Sequence, residues 1–266
     1  MTFLVLADEW DQTAARVASE LATRHGRAAV RSLSSRQLAT EVSWSHRVEQ
    51  RANTTTLRLA DGASLADGDL SVVFNRLRFV DPPQFATASP ADRDYAGAEL
   101  SALLTSWLCG LRCPVVDRPQ PPHLGSGWRS TIGWQLLAGA AGLPTRRLRY
   151  TTNGRRFAVP GLFAATNGSS PCCLAEPVDD GYASILVVGD VAVGSLPGTS
   201  PAACLRLARS SDTSILELRF TKSARTARWE FADAVPLPAI TVNEQVGLVV
   251  RCLETAAAER GARYCQ

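Results

Sequence analysis

Leu70-Ser71-Val72-Val73-Phe74-Asn75-Arg76 is a near-continuous apolar run that ends in two polar residues. A run this short reads as a strand buried on both faces, the kind found in parallel sheets. The same signal occurs upstream at Phe3 to Leu6 and Ala28 to Leu33, and downstream at Pro114-Val115-Val116. Helical patterns fall between these runs. Gln12 to Thr23 is amphipathic and closes near Gly26, and Asp92 to Leu111 carries a stripe of Tyr95, Leu100, Leu103, Leu104 and Leu108 with Gly110 near its end. Arg47 to Asp61, with the turn Asp61-Gly62, has hairpin character. The βαβ rhythm predicts a doubly wound, mostly parallel sheet in the N-terminal part.

The second half reads differently. Asp117 to Gly127, rich in Pro and Gly, is the candidate linker, so the expected lobes are 1–118 and 119–266. Ser130 to Gly142 predicts a helix. Leu148 to Thr152 and Phe157 to Val159 predict short strands, and Ser184 to Val188 with Val191 to Ser195 predicts a hairpin about Gly189-Asp190. Pro201 to Ser210 reads as a helix, Ser214 to Phe220 and Thr226 to Phe231 as paired strands with Lys222 at the turn between them, and Gln245 to Arg260 as a closing helix. The fold class is therefore α/β, a parallel lobe followed by an α+β lobe with mainly antiparallel sheet.

Composition narrows the function. Hydrophobic residues make up 45% of the 266 and charged residues 20%, which excludes wholesale disorder. No segment approaches the ~20 apolar residues of a membrane span. Met1 to Ala7 lacks a basic leader and runs into Asp8, Glu9 and Asp11, so it reads as a first strand and the expected location is cytoplasmic. The seven cysteines are scattered without a CxxC, which favours reduced thiols. The net charge of +3 is carried almost wholly by arginine, since Lys222 is the only lysine. Arg146, Arg147, Arg149, Arg155 and Arg156 form a basic cluster, but no aromatic or helix-turn-helix pattern accompanies it, so a solvated loop rim is preferred over a nucleic-acid site. Gly125-Ser126-Gly127 lacks the spacing of a nucleophile elbow. Trp107, Trp128 and Trp134 read either as pocket lining or, preferably, as packing between two helices across the linker.

In order along the chain, these pieces resemble the ATP-grasp superfamily with its preceding lobe. The pieces are Val72 to Arg76; Pro114-Val115-Val116-Asp117-Arg118-Pro119; Trp134-Gln135-Leu136 with Gly142-Leu143-Pro144; Glu176-Pro177-Val178 before Ile185 to Asp190; and Trp229 to Pro238. The resemblance implies a carboxylate attacking the γ-phosphate of ATP and an amine displacing phosphate. Such chemistry needs fixed cations, magnesium and a glycine-rich flap. It implies adenine binding at the hinge through the backbone of Glu176 and Val178, a phosphate ligand in Lys222, and a metal ligand in Asp233. It also implies homodimerisation.

The chain departs from that pattern in ways that decide the expected function. Pro144 to Glu176 offers about half the usual room for the flap and contains no lysine, leaving Arg155 or Arg156 as substitutes and Asn167-Gly168-Ser169-Ser170 as either an anion nest or an ordinary turn. Val235 stands where the family has an asparagine, and Ser184 where an arginine precedes the hairpin. Alternation along the strands turns Glu217 and Glu230 away from Asp233. The expectation is a degenerate ATP-grasp-like protein that binds rather than catalyses, an accessory subunit in a bacterial biosynthetic or modification pathway. It would pair with itself or with a pathway enzyme and hold a peptide or small carboxylate through Arg76, Arg118, Arg147 and Arg155. The alternative is a carboxylate-amine ligase with an abbreviated lid, dependent on ATP and Mg²⁺.

Overall fold

The computed structural model describes the chain except for residues 51, 52, 81, 121, 122, 147, 152–162, 165–171, 176, 177, 265 and 266. Across 148–151, 163–164, 172–175 and 178–181, and again across 260–264, it describes backbone only. Two compact units emerge, and they interleave along the chain. One comprises Met1–Trp128, Asp212–Ser214 and Pro236–Gln266, the other Arg129–Ser211 and Ile215–Val235. The expected division at 118/119 assigned all of the C-terminal segment to the second lobe, because a linker signal marks where a chain leaves a unit and not where it returns.

The first unit opens with β1 (Phe3–Ala7), α1 (Gln12–His25) and β2 (Val30–Ser34). Asp11 caps α1 by accepting from the Ala14 N–H, which satisfies one of the orphan donors of a helix start. After α2 (Ser35–Thr40), the chain forms a three-stranded antiparallel sheet from β3 (Ser43–Val48), β4 (Asn53–Arg58) and β5 (Ser64–Ala66). It then makes β6 (Val72–Arg76), α3 (Pro90–Gly110) and β7 (Val115–Val116). The parallel sheet has the order β2-β1-β6-β7. Every residue of β1 and β6 is buried, as the uninterrupted apolar runs require. Leu4, Leu6 and Val73 pack with Leu104, Trp107 and Leu108 of α3, and each such burial contributes about 1.5–3 kcal/mol before chain entropy is counted. Tyr95, expected in the α3 stripe, is exposed.

The second unit starts at α4 (Thr131–Ala140), where Ser130 accepts from the Gly133 N–H as N-cap. A small antiparallel sheet follows, β8 (Leu148–Thr151), β9 (Phe163–Ala164) and β10 (Cys172–Ala175), in the order β8-β10-β9. Cys172 and Cys173 are successive residues of β10. The main sheet is β11 (Val178–Val188), β12 (Val191–Val193), β13 (Ile215–Ser223) and β14 (Trp229–Val235), ordered β12-β11-β13-β14 and antiparallel throughout, with α5 (Pro201–Ser210) between β12 and β13. Ile185, Val187, Leu216, Leu218, Phe220 and Phe231 form one apolar face, packed on Trp134 and Ala138 of α4 and Cys204 and Leu207 of α5. Burial pushes the Cys204 thiol up to about 11, so it stays a neutral core side chain.

The chain ends in α6 (Asn243–Tyr264), which packs on α1 within the first unit. Among the described residues, no helix is long and apolar enough to cross a membrane.

Candidate functional site

Strand alternation in the second unit leaves one face of the main sheet free of α4 and α5. On β13 that face carries Glu217, Arg219 and Thr221, the neighbours of the core residues Leu216, Leu218 and Phe220. On β11 it carries Tyr182, opposite Thr221, and Ser184, opposite Arg219. Simple alternation on β14 would put Asp233 on the core face, because Phe231 is there. The register shows otherwise: Phe220 pairs with Phe231, while the next residue, Arg219, pairs with Asp233. Ala232 is left over as a β-bulge, and the extra residue resets the parity of the strand. Asp233 therefore shares a face with Arg219 and Glu217, which corrects the expectation that alternation separates the carboxylates of these strands.

The bulge has a fixed support. Gln135 of α4, mostly buried, donates through Nε2 to the carbonyls of both Phe231 and Ala232, at 3.0 and 2.9 Å. The Phe231 N–H is satisfied in turn by the carbonyl of Pro144 at 2.7 Å. Both carbonyls that a bulge withdraws from ladder bonding thus have a donor, as buried backbone groups must.

The electrostatics of this face are self-contained. Arg219 Nη2 lies 3.3 Å from Glu217 Oε2, and the guanidinium carbon sits 5.8 Å from the centre of the Tyr182 ring. Asp233 has its pKa raised, first by desolvation, against the Ala234 N–H and the charge of Arg219, which pull it down. The residue is solvent-exposed, so water offsets much of that desolvation. Val235 lies opposite Glu217 and offers no oxygen. Magnesium wants an octahedron of oxygens with an open approach to phosphate. Here Arg219 pairs with Glu217, Glu230 lies farther along the same face opposite Thr221, and among the described residues no group of three or more His, Cys, Asp or Glu is arranged to hold a metal ion. This donor set does not fit a protein-held magnesium.

The remaining expected site residues are dispersed. Lys222 lies inside β13 paired with Trp229, not at the turn tip, because the strands extend beyond the expected boundary. By alternation it belongs to the Phe220 face, opposite Arg219 and Asp233. Arg76 is sealed in the first unit, with both its side chain and that of Asp11 almost fully buried and Nε 2.8 Å from Asp11 Oδ2. Its Nη2 donates to the Pro238 carbonyl. Its Nη1 has no hydrogen-bond partner, and the side chain is buried where an exposed, ligand-facing arginine was expected. Arg118 is exposed in the first unit. Val178 pairs with Ser223 on the backbone of β11. Glu176, Arg147, Arg155 and the Asn167–Ser170 turn lie outside the described residues.

Other motifs resolve into structural roles. Asn75 Nδ2 donates to the carbonyls of Asp117 and Leu124, and Asp117 Oδ1 accepts from Ser126 Oγ and the Ser214 N–H, so the strand-end Asn and the Gly-Ser-Gly stretch pin a loop. Asp117 holds a positive φ of 62° to do so. Trp107 stacks edge-on to Trp44, Trp134 lies in the core of the second unit, and Trp128 is exposed beside His123. Arg219 is the residue the sequence reading missed. Its signal was the charged alternation Glu217-Leu218-Arg219, but nothing in the sequence announces the bulge that brings Asp233 opposite it.

Solved structures with the same architecture span nearly the whole chain. Macrocyclase MdnC from Microcystis aeruginosa, bound to precursor peptide MdnA, superposes with a TM-score of 0.78 at 12% identity, covering 96% of this chain and 100% of that one. The fold is the ATP-grasp fold. An ATP-grasp ligase associated with RiPPs from Chryseobacterium gregarium, solved with ADP and a leader and core peptide, matches at 0.75 and 13% identity over 96% of this chain and 97% of that one. The ATP-grasp ligase PsnB, with a phosphomimetic variant of a minimal precursor, Mg and ADP, matches at 0.74 and 15% over 96% and 98%. No protein-family model matches, and neither does any curated protein. The ATP-grasp fold, with its parallel first sheet and antiparallel later sheets, is thus kept at an identity too low to carry residue roles.

Proposed function

We propose that this protein binds a peptide or small carboxylate without transferring phosphate, as an accessory subunit in the biosynthesis of a modified peptide. The observation that carries this reading is Arg219, ion-paired with Glu217 and opposite Asp233 on the face where an ATP-grasp ligase would hold magnesium. A guanidinium there would compete with a metal ion, through its pairing with Glu217 and its charge beside Asp233. Val235 supplies no third donor, and the only lysine is on the other face of the sheet. The peptide part rests on analogy with the three neighbours, each solved with a precursor or with leader and core peptide. An anionic group of such a peptide would meet arginines, with Arg118 the exposed candidate among the described residues and Arg147 and Arg155, which lie outside them, the other candidates. The partner is a second copy of the chain or a pathway enzyme, which sedimentation with and without peptide would distinguish.

A second reading, an ATP- and Mg²⁺-dependent carboxylate-amine ligase with an abbreviated lid, is favoured by Glu217 and Asp233 sharing one face. In that case the backbone of Glu176 and Val178 would hold adenine and Asp233 would ligate magnesium. An ATP turnover assay with an acidic peptide and a free amine separates the two. Absence of ADP formation above buffer supports binding alone; turnover lost in Asp233→Asn supports the ligase.

A further inference from the structure

The ends of β1 and β2, paired at Ala7 and Ser34, open into a cleft of about 360 Å³ in the first unit, lined by Asp8, Glu9 and Asp11, by Ser34 and Gln37, and by Ala14 of α1. The carboxyl ends of parallel strands are where open α/β sheets bind their ligands. Three carboxylates line this cleft, and no lysine or arginine does.

The carboxylates are not equivalent. Asp11 is spent, accepting from the Ala14 N–H and from Arg76. Asp8 is more than nine-tenths buried. Its Oδ1 accepts from Ser35 Oγ at 3.0 Å, while Oδ2 has no hydrogen-bond partner. A buried acceptor without a donor costs stability that a ligand donor would recover. The nearest cations do not fill it: Arg76 is bonded to Asp11 and Pro238, and Arg78 lies with its guanidinium 5.0 Å from the Trp10 ring centre, acting on Asp8 only through its field. Glu9, exposed at the rim, accepts from Ser34 Oγ at a long 3.4 Å and keeps capacity for another donor. A metal ion is a poor occupant, since the carboxylates here do not form a group arranged to hold one. A cation with directed N–H donors on an apolar stem suits the mixed lining, which includes Val5, Leu33 and Ala15 beside the acids.

We propose that this cleft is a binding site for an alkylammonium or guanidinium group, the side chain of a lysine or arginine in a peptide, with Asp8 as the buried acceptor and Glu9 as the rim acceptor. The site lies wholly within the first unit and does not depend on whether the second unit binds nucleotide.

The test is an NMR titration of the full chain with N-acetyl-lysine methylamide, N-acetyl-arginine methylamide and the neutral N-acetyl-norleucine methylamide. Saturable shifts in Ala7–Ala15 and Ser32–Gln37 are expected with one or both cations, the stronger identifying the side chain, and none with norleucine. Asp8→Asn should weaken binding about tenfold, the scale of a charge-assisted hydrogen bond. Glu9→Arg, on the exposed rim, should abolish it and serves if Asp8→Asn does not fold. Equal shifts with norleucine, no saturable shift with either cation, or wild-type affinity in the folded variants would overturn the proposal.

Discussion

Arg219 stands directly opposite Asp233 on adjacent strands because one residue, Ala232, is left out of the pairing between β13 and β14. That one-residue irregularity turns an acidic side chain from the core face to the open face, and it brings that side chain opposite a guanidinium.

If Gln135 holds the bulge, Gln135→Leu removes the donor to the carbonyls of Phe231 and Ala232 and should cost about 2–3 kcal/mol. Urea unfolding followed by tryptophan fluorescence should show a lower midpoint with an unchanged slope. An unaltered midpoint would mean the bulge is set by the strand alone.

If Arg219 stands in for a metal ion, as proposed, Arg219→Ser should unmask the carboxylates. Weak, millimolar Mn²⁺ binding, read by electron paramagnetic resonance, is expected in Arg219→Ser and should disappear in Arg219→Ser combined with Asp233→Asn. The fold should survive, because a half-exposed ion pair contributes only about 0–1 kcal/mol.

The buried pair Arg76–Asp11 predicts a much larger loss. Removing one partner, as in Arg76→Met, strands a charge in the core and should destabilise the first unit by about 3–5 kcal/mol. Chemical denaturation monitored by circular dichroism measures it. A loss under 1 kcal/mol would show that water reaches the pair.

Asp8 predicts a pH dependence of opposite sign to that of a salt-bridged acid. Its pKa in the fold is raised, first by desolvation, with Ser35, Arg78 and Arg76 pulling it down and Asp11 pushing it up. Between its ordinary value and the raised one the folded protein binds more proton than the unfolded chain, so its contribution to stability falls as pH rises through that window and stays lost above it. Asp8→Asn should therefore be more stable than the wild type at neutral pH, and the gap should close as the medium is acidified. Melting temperatures at several pH values decide it.

The fold was legible in the sequence wherever burial left an unbroken apolar record. β1 and β6, buried on both faces, read as continuous runs, and α5 was expected over the residues it occupies, Pro201–Ser210. The site was less legible, for physical reasons. Arg76 looked like a ligand-facing arginine because sequence shows charge and not the partner, Asp11, that buries it across 65 positions. Lys222 looked like a turn residue because the strand runs on past the apolar signal into polar positions. Asp233 was picked out, but its relation to Glu217 and Arg219 depends on a bulge stabilised from α4, a tertiary contact with no local signature.

Isothermal titration of ADP into the protein with and without Mg²⁺ tests the central claim most directly. An account in which Arg219 occupies the metal position predicts that magnesium adds nothing, with no saturable heat below about 1 mM in either titration. Micromolar binding that requires Mg²⁺ and weakens about tenfold in Asp233→Asn would contradict it.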